Sequence, residues 1–279
     1  MTLENKRIEK TFNELQSKKE KGLITFVTAG DPDYDTSLKI IKKLPKAGAD
    51  FIEIGMPFTD PMADGVAIQA SYLRALKSGQ TLAKTLSMVK EFRKIDKKTP
   101  IILMGYFNPI YNYGIDNFVL NSKKAGVDGL IVVDLPPEAD KELCKPALKN
   151  NIDFIRLATP ITDAKRLKIL LKNSSGFLYY ISVLGITGTK KPNLKSIRLA
   201  IEKIRKNTTI PIAVGIGIRT PEQAAKIVNY SDAVVVGSAI VEKIEEAVLL
   251  SKNYKKKAID RSVSLVKSLS DSVKKGNIN

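Results

Sequence analysis

The chain has 279 residues, 43% of them hydrophobic, a formal net charge of +17 at pH 7, one cysteine and no histidine or tryptophan. This length and apolar content suit one large domain and exclude a chain disordered throughout, while the residue types missing exclude an internal disulfide, a thiol–imidazole nucleophile pair and the usual zinc sets. The lysines are scattered, without an Arg-rich block, zinc-finger spacing or interleaved aromatics, so no nucleic-acid partner is expected, although a diffuse positive field would favour an anionic, for instance phosphorylated, substrate.

Taken in order, the N-terminus is charged with both signs and no apolar run reaches the ~18 residues of a membrane span, so neither a signal peptide nor a membrane anchor is expected and the protein reads as cytoplasmic. Residues 5–21 predict an amphipathic helix through Ile8, Phe12 and Leu15. The first strand, Gly22 to Thr28, ends in a turn at Ala29 to Asp33 rich in helix-starting residues, and Thr36 to Ala47 is helical in period. The same strand–turn–helix rhythm recurs. Strands are predicted at Phe51 to Ile54, Ile101 to Gly105, Gly129 to Asp134, Phe154 to Ala158, Gly176 to Ser182, Ile210 to Val214 and Ala233 to Val236, with a helix after each. Thr220-Pro221 has the cap and first-turn residues of a helix start. Cys144, in a helix-like segment, reads as a small buried hydrophobe. Residues 252–279 form a lysine-rich helical tail that is expected to fray.

Eight apolar strands alternating with helices predict an α/β fold, a single-domain (β/α)8 TIM barrel spanning residues 1–279, with an open doubly wound sheet as the alternative. No linker divides the chain. In such a barrel the chemistry lies at the C-terminal ends of the strands. Glu53 then stands out, because alternation places it with Phe51 and Gly55 on one face of an otherwise apolar strand. A buried carboxylate is either a structural ion pair or an acid/base of tuned pKa. Asp60 and Asp64 follow in a loop stiffened by Pro57 and Pro61; Phe26, Asp134 and Tyr179 lie at or near the same face. Gly215-Ile-Gly217 and Gly237-Ser238, on the last two strands, match the place where barrels hold a phosphate on backbone N–H groups and a helix N-terminus. No third glycine and no acidic residue follow in the dinucleotide pattern. The two aspartates lack the further carboxylates of a Mg²⁺ site, so no metal is expected. Lys190 and Lys191 lie in a loop, and no lysine projects from a strand end to form a Schiff base.

Phe51-Ile-Glu-Ile-Gly-Met-Pro-Phe-Thr-Asp-Pro-Met-Ala-Asp-Gly65 resembles the signature of the tryptophan synthase alpha subunit family. Phe26-Val-Thr-Ala-Gly-Asp-Pro32, Met104-Gly-Tyr-Phe-Asn-Pro109, Val133-Asp-Leu-Pro136, Gly185-Ile-Thr-Gly188, Gly215-Ile-Gly-Ile-Arg219 and Gly237-Ser-Ala-Ile240 match in the same order. The resemblance implies retro-aldol cleavage of indole-3-glycerol phosphate to indole and glyceraldehyde 3-phosphate, in tryptophan biosynthesis. It implies Glu53 as general acid and base, Asp64 as the partner of the indole N–H, and Phe26 and Tyr179 as substrate-binding residues. Gly188, Gly215, Gly217, Gly237 and Ser238 are implied to bind substrate, chiefly its phosphate, and Asp60 and Thr187 to link the loops that close the site. It further implies a beta-subunit partner in an αββα heterotetramer, with pyridoxal phosphate in that partner and no cofactor in this chain. Asp60 and Tyr106 to Asn112 would face the partner. Ile216 stands where the family commonly has phenylalanine, which would remove an aromatic wall near the indole. A freestanding lyase and a non-catalytic activator of a beta subunit are the alternatives, and a phosphosugar isomerase explains the phosphate loops but not Glu53 with Asp64.

Overall fold

The structure, a computed structural model, describes residues 6–181 and 194–275. Its strands are β1 (Gly22–Thr28), β2 (Phe51–Gly55), β3 (Ile101–Gly105), β4 (Gly129–Val132), β5 (Asp153–Phe154), β6 (Arg156–Ala158), β7 (Leu178–Ile181), β8 (Ile212–Gly215) and β9 (Ala233–Val236). All pairs are parallel, in the order β5-β4-β3-β2-β1-β9-β8-β7-β6. The two ends of that order, β5 and β6, are consecutive in the chain and separated only by Ile155. The sheet therefore meets itself, and the expected fifth strand is two pieces, one bonded to β4 and the other to β7. Closing a barrel staggers the strands, so the lower part of this strand reaches one neighbour and the upper part the other. The (β/α)8 barrel expected from the strand rhythm is the fold observed.

Around it run α1 (Arg7–Ser17), α2 (Tyr34–Lys43), α3 (Val66–Lys77), α4 (Leu82–Arg93), α5 (Phe107–Tyr113), α6 (Ile115–Ala125), α7 (Cys144–Lys149), α8 (Ala164–Leu171), α9 (Leu194–Arg205), α10 (Pro221–Val228), α11 (Ser238–Leu250) and α12 (Tyr254–Lys275). Asp33, Thr81, Asp163 and Thr220 cap α2, α4, α8 and α10, each side chain accepting from a backbone N–H in the first turn. These caps satisfy donors that a helix start would leave orphaned. Strand alternation then divides the apolar residues into two sets. Leu23, Ile52, Ile54 and Leu103 point outward under the helices, while Ile24, Phe51, Ile102, Ile131 and Ala213 fill the lumen. Cys144 is fully buried in the outer set.

Helix α1 closes the N-terminal end of the barrel. Its buried stripe, Ile8, Phe12 and Leu15, joins the lumen cluster rather than the outer one. The Phe12 ring lies 4.6 Å from Phe51 and 6.0 Å from Phe177, centroid to centroid. Arg7 and Arg93 converge on the buried Asp128 at 2.7 and 2.6 Å, tying α1 and α4 to the start of β4. The C-terminal tail differs from expectation. Its α12 does not fray but lies against α2, α10 and α11, burying Ala258, Ser262, Val266, Leu269, Ser270 and Val273. Its lysines occupy the opposite stripe, as amphipathic packing requires. Close approach is possible because Gly48 has φ +100° and no Cβ; an added Cβ would stand 2.1 Å from the Ser270 hydroxyl oxygen.

Deleting the Phe12 ring should open the bottom of the lumen. Phe12→Ala is expected to cost about 3–5 kcal/mol. Thermal unfolding should show a melting temperature roughly 10 °C lower, and a shift under ~2 °C would mean that α1 does not plug the barrel.

Candidate active site

The register of β1, β2 and β3 places Phe26 opposite Glu53 and Glu53 opposite Ile102. Phe26 and Ile102 belong to the apolar lumen, so Glu53 projects into the lumen among apolar side chains. It is fully buried, and among the described residues neither carboxyl oxygen has a hydrogen-bond partner. Among the described residues no ion pair holds it, which speaks against a structural salt bridge. Burial alone pushes its pKa up to about 8, because a charge in an apolar lumen loses its hydration and gains nothing in exchange. At neutral pH the group is a protonated acid that can give a proton and take one back.

Tyr179 reaches the lumen from β7 and packs in the same interior cluster. Its room is made by Gly215 on the neighbouring β8, where a Cβ would come within 2.4 Å of the tyrosine hydroxyl oxygen. Burial first, then the charges of Glu53 and Asp64, raise its pKa well above the usual value, so the hydroxyl remains a donor. Phe26 is enclosed in the same manner by Gly55 and Gly237, whose added Cβ atoms would approach its side chain to 2.5 and 3.1 Å. The glycines on β2, β8 and β9 thus leave space for aromatic rings at the mouth.

Asp64 lies at this mouth, half-buried, in the turn that leads from β2 into α3. Tyr106, directly after β3, donates its hydroxyl to Asp64 Oδ2 at 2.7 Å and accepts from the Ala63 N–H at 3.0 Å. Burial raises the Asp64 pKa and the Tyr106 donation opposes that shift. Tyr106 was placed by sequence in a partner-facing segment; in the structure it is 1% exposed and orients a site carboxylate. A tyrosine ending an apolar strand carried no signal of this, since the contact spans 42 residues. Asp60 is exposed and bonded to its neighbour Thr59. Asp134 does not enter the site: it accepts from the Phe107 N–H at 2.8 Å and fastens the start of α5, a helix not expected from the sequence. Gly188 and Thr187 lie outside the described residues.

At the ends of β8 and β9, Gly217 has φ +69° and no atom of the described residues within 4 Å of where a Cβ would be. Only glycine adopts that backbone readily. Gly237 caps α11, and Ser238 begins it. The Ile240 and Val241 N–H groups bond to the Gly237 carbonyl, while those of Ser238 and Ala239 have no acceptor within the helix and lie at its positive dipole end. Arg219 ties the loop after β8 to α11 through a two-bond pair with Glu242. The two loops form a cradle suited to an anion. Ile216, between the two glycines, is partly buried and packs against the outer cluster. Helix α3 is fixed to the same region: Thr28 and Ser71 share a 2.6 Å hydrogen bond, and Arg74 bridges Asp31 at 2.8 and 2.9 Å to Glu245 of α11 at 2.7 Å.

The raised pKa of Glu53 has a consequence for stability. The unfolded chain ionises this group near 4.5 and the folded protein near 8, so its contribution is complete below about pH 4.5 and declines as pH rises through 8. Glu53→Gln removes that decline. The variant should match or exceed the wild type in melting temperature at pH 9 while losing its advantage at pH 5, and equal pH profiles for the two would show that Glu53 is not held protonated.

Residues 12–274 match the tryptophan synthase alpha chain family. The chain is also similar to the solved tryptophan synthase alpha subunit of Legionella pneumophila, with 37% identity over 96% of this chain and 98% of that one and a TM-score of 0.88. A structure of tryptophan synthase from Mycobacterium tuberculosis aligns with 30% identity over 96% and 98% of the two chains, TM-score 0.86. A protein from Aquifex aeolicus aligns with 36% identity over 95% and 98%, TM-score 0.85. With a barrel of this topology, a lumenal carboxyl and two glycine loops on its last strands, the chain belongs to the tryptophan synthase alpha chain family.

Proposed function

We propose that Glu53 is the proton donor and acceptor in the reaction of this family, the cleavage of indole-3-glycerol phosphate to indole and glyceraldehyde 3-phosphate. The observation that carries this is a fully buried carboxyl without a hydrogen-bond partner among the described residues, whose burial pushes its pKa up to about 8. Protonated Glu53 gives its proton to indole C3, which leaves positive charge on the ring nitrogen. The resulting carboxylate takes the proton of the hydroxyl on the adjacent side-chain carbon. The C–C bond breaks, its electron pair restores the indole, and the aldehyde leaves with the phosphate. Glu53 ends protonated, so the cycle closes without a cofactor.

Asp64, held by Tyr106, accepts from the indole N–H and offsets the charge that develops there. Phe26 and Tyr179 form walls of the indole pocket. Gly215, Gly217, Gly237 and Ser238 take the phosphate on backbone N–H groups, and Gly188 belongs to the same contact. Asp60 and Thr187 link the loops that close over the substrate and exclude water.

The partner is a beta subunit carrying pyridoxal phosphate, in an αββα heterotetramer of a cytoplasmic enzyme. Support comes from exposed apolar side chains in the segments after β2, β3 and β6: Met62 at 76%, Tyr111, in α5, at 62% and Ile161 at 92%. Exposed apolar residues following the C-terminal ends of strands suit a surface that another protein covers.

Indole release from indole-3-glycerol phosphate tests these roles. Glu53→Gln should lower kcat by ~10²-fold or more, and Asp64→Asn by ~10-fold or more, with both proteins folded. Gly217→Ala should chiefly raise KM and weaken competition by inorganic phosphate. Activity within a factor of two in Glu53→Gln would remove Glu53 from the chemistry.

A further inference from the structure

Helix α3 brings one tyrosine to the mouth of the barrel that the roles above leave unused. Tyr72 is 1% exposed and packs with Phe26, Tyr106 and Val241, beside Phe58 and Met104. A Cβ on Gly55 would lie 3.1 Å from its ring, which places that ring over the end of β2, two residues beyond Glu53. Its hydroxyl is buried and, among the described residues, has no hydrogen-bond partner. Such a group is destabilising, and a phenylalanine would pack there without the loss.

The polar groups nearest in effect are Asp64 and Tyr106, both of which bear on the Tyr72 hydroxyl electrostatically. Among the described residues, the hydrogen bonds to the Asp64 carboxylate engage only Oδ2, through Tyr106. We propose that Tyr72 is a second positioning residue for Asp64, its hydroxyl donating to the other carboxylate oxygen as the substrate's ring nitrogen gains charge. Two tyrosines, one from α3 and one from the end of β3, then hold the carboxylate from two sides. The unpaired hydroxyl is a donor kept in reserve, made useful only along the reaction. Helix α3 is suitably rigid for this, being fastened at Ser71 and Arg74, the residues on either side of Tyr72 and Leu73.

This rests on the lyase roles proposed for Glu53 and Asp64, and the test separates the two. Indole release and thermal unfolding are measured for wild type, Glu53→Gln and Tyr72→Phe. Tyr72→Phe is expected to lower kcat at least ~5-fold with KM within ~2-fold, because a bond made only in the transition state has been removed. Its melting temperature should be unchanged or up to roughly 3 °C higher, because an unsatisfied hydroxyl has gone. Unchanged kcat would overturn the proposal, as would a lower melting temperature with kcat and KM both impaired, which marks a structural hydroxyl. An active wild type silenced by Glu53→Gln keeps the lyase roles standing in either case, whereas a Glu53→Gln that cleaves normally would sink those roles instead.

Discussion

The molecule is arranged around a carboxyl group that has been taken out of water and given nothing to bond. An isolated carboxylate in an apolar lumen is costly, and the protein meets that cost by keeping Glu53 protonated near pH 7. The fold supplies the conditions. Closure of the sheet through the divided β5 and β6 removes solvent from the lumen, and α1 stops the bottom with Ile8, Phe12 and Leu15. An open sheet would leave Glu53 hydrated and ordinary in acidity.

Against that single apolar depth, the mouth of the barrel is polar and built by loops and helices from different parts of the chain. Asp64 follows β2, Tyr106 follows β3, Tyr72 comes from α3, and Gly217 and Ser238 follow β8 and β9. The division has a chemical sense. Proton transfer at carbon needs a neutral acid in a dry place, whereas a phosphate needs donors and a positive field at the rim. The bridge from Asp31 through Arg74 to Glu245 joins α3 to α11, the helix that begins at Ser238.

Much of this was legible in the residues. Eight apolar runs at regular intervals implied a barrel, and period-two alternation put Glu53 with Phe51 and Gly55 on one face of an apolar strand. The ordered motifs around Asp60 and Asp64 implied the family, and Thr220-Pro221 marked a helix start that is present. Other features were misread for identifiable reasons. Asp134 looked like a site residue because it ends a strand at the catalytic face, yet its carboxylate is used by the Phe107 N–H. The tail looked loose because its lysines dominate its composition, although its apolar residues recur on one stripe that α2, α10 and α11 cover.

The sequence by itself determined the strand rhythm, the side to which each strand residue points and the positions where glycine was required, because these follow from local periodicity and backbone sterics. Only the tertiary structure decided that, among the described residues, Glu53 and the Tyr72 hydroxyl are without a partner, that Tyr106 donates to Asp64 and that Ile216 packs against the outer cluster. Those facts depend on atoms brought together across tens of residues by barrel closure. Burial and pairing are properties of the surroundings, and a linear pattern does not contain them.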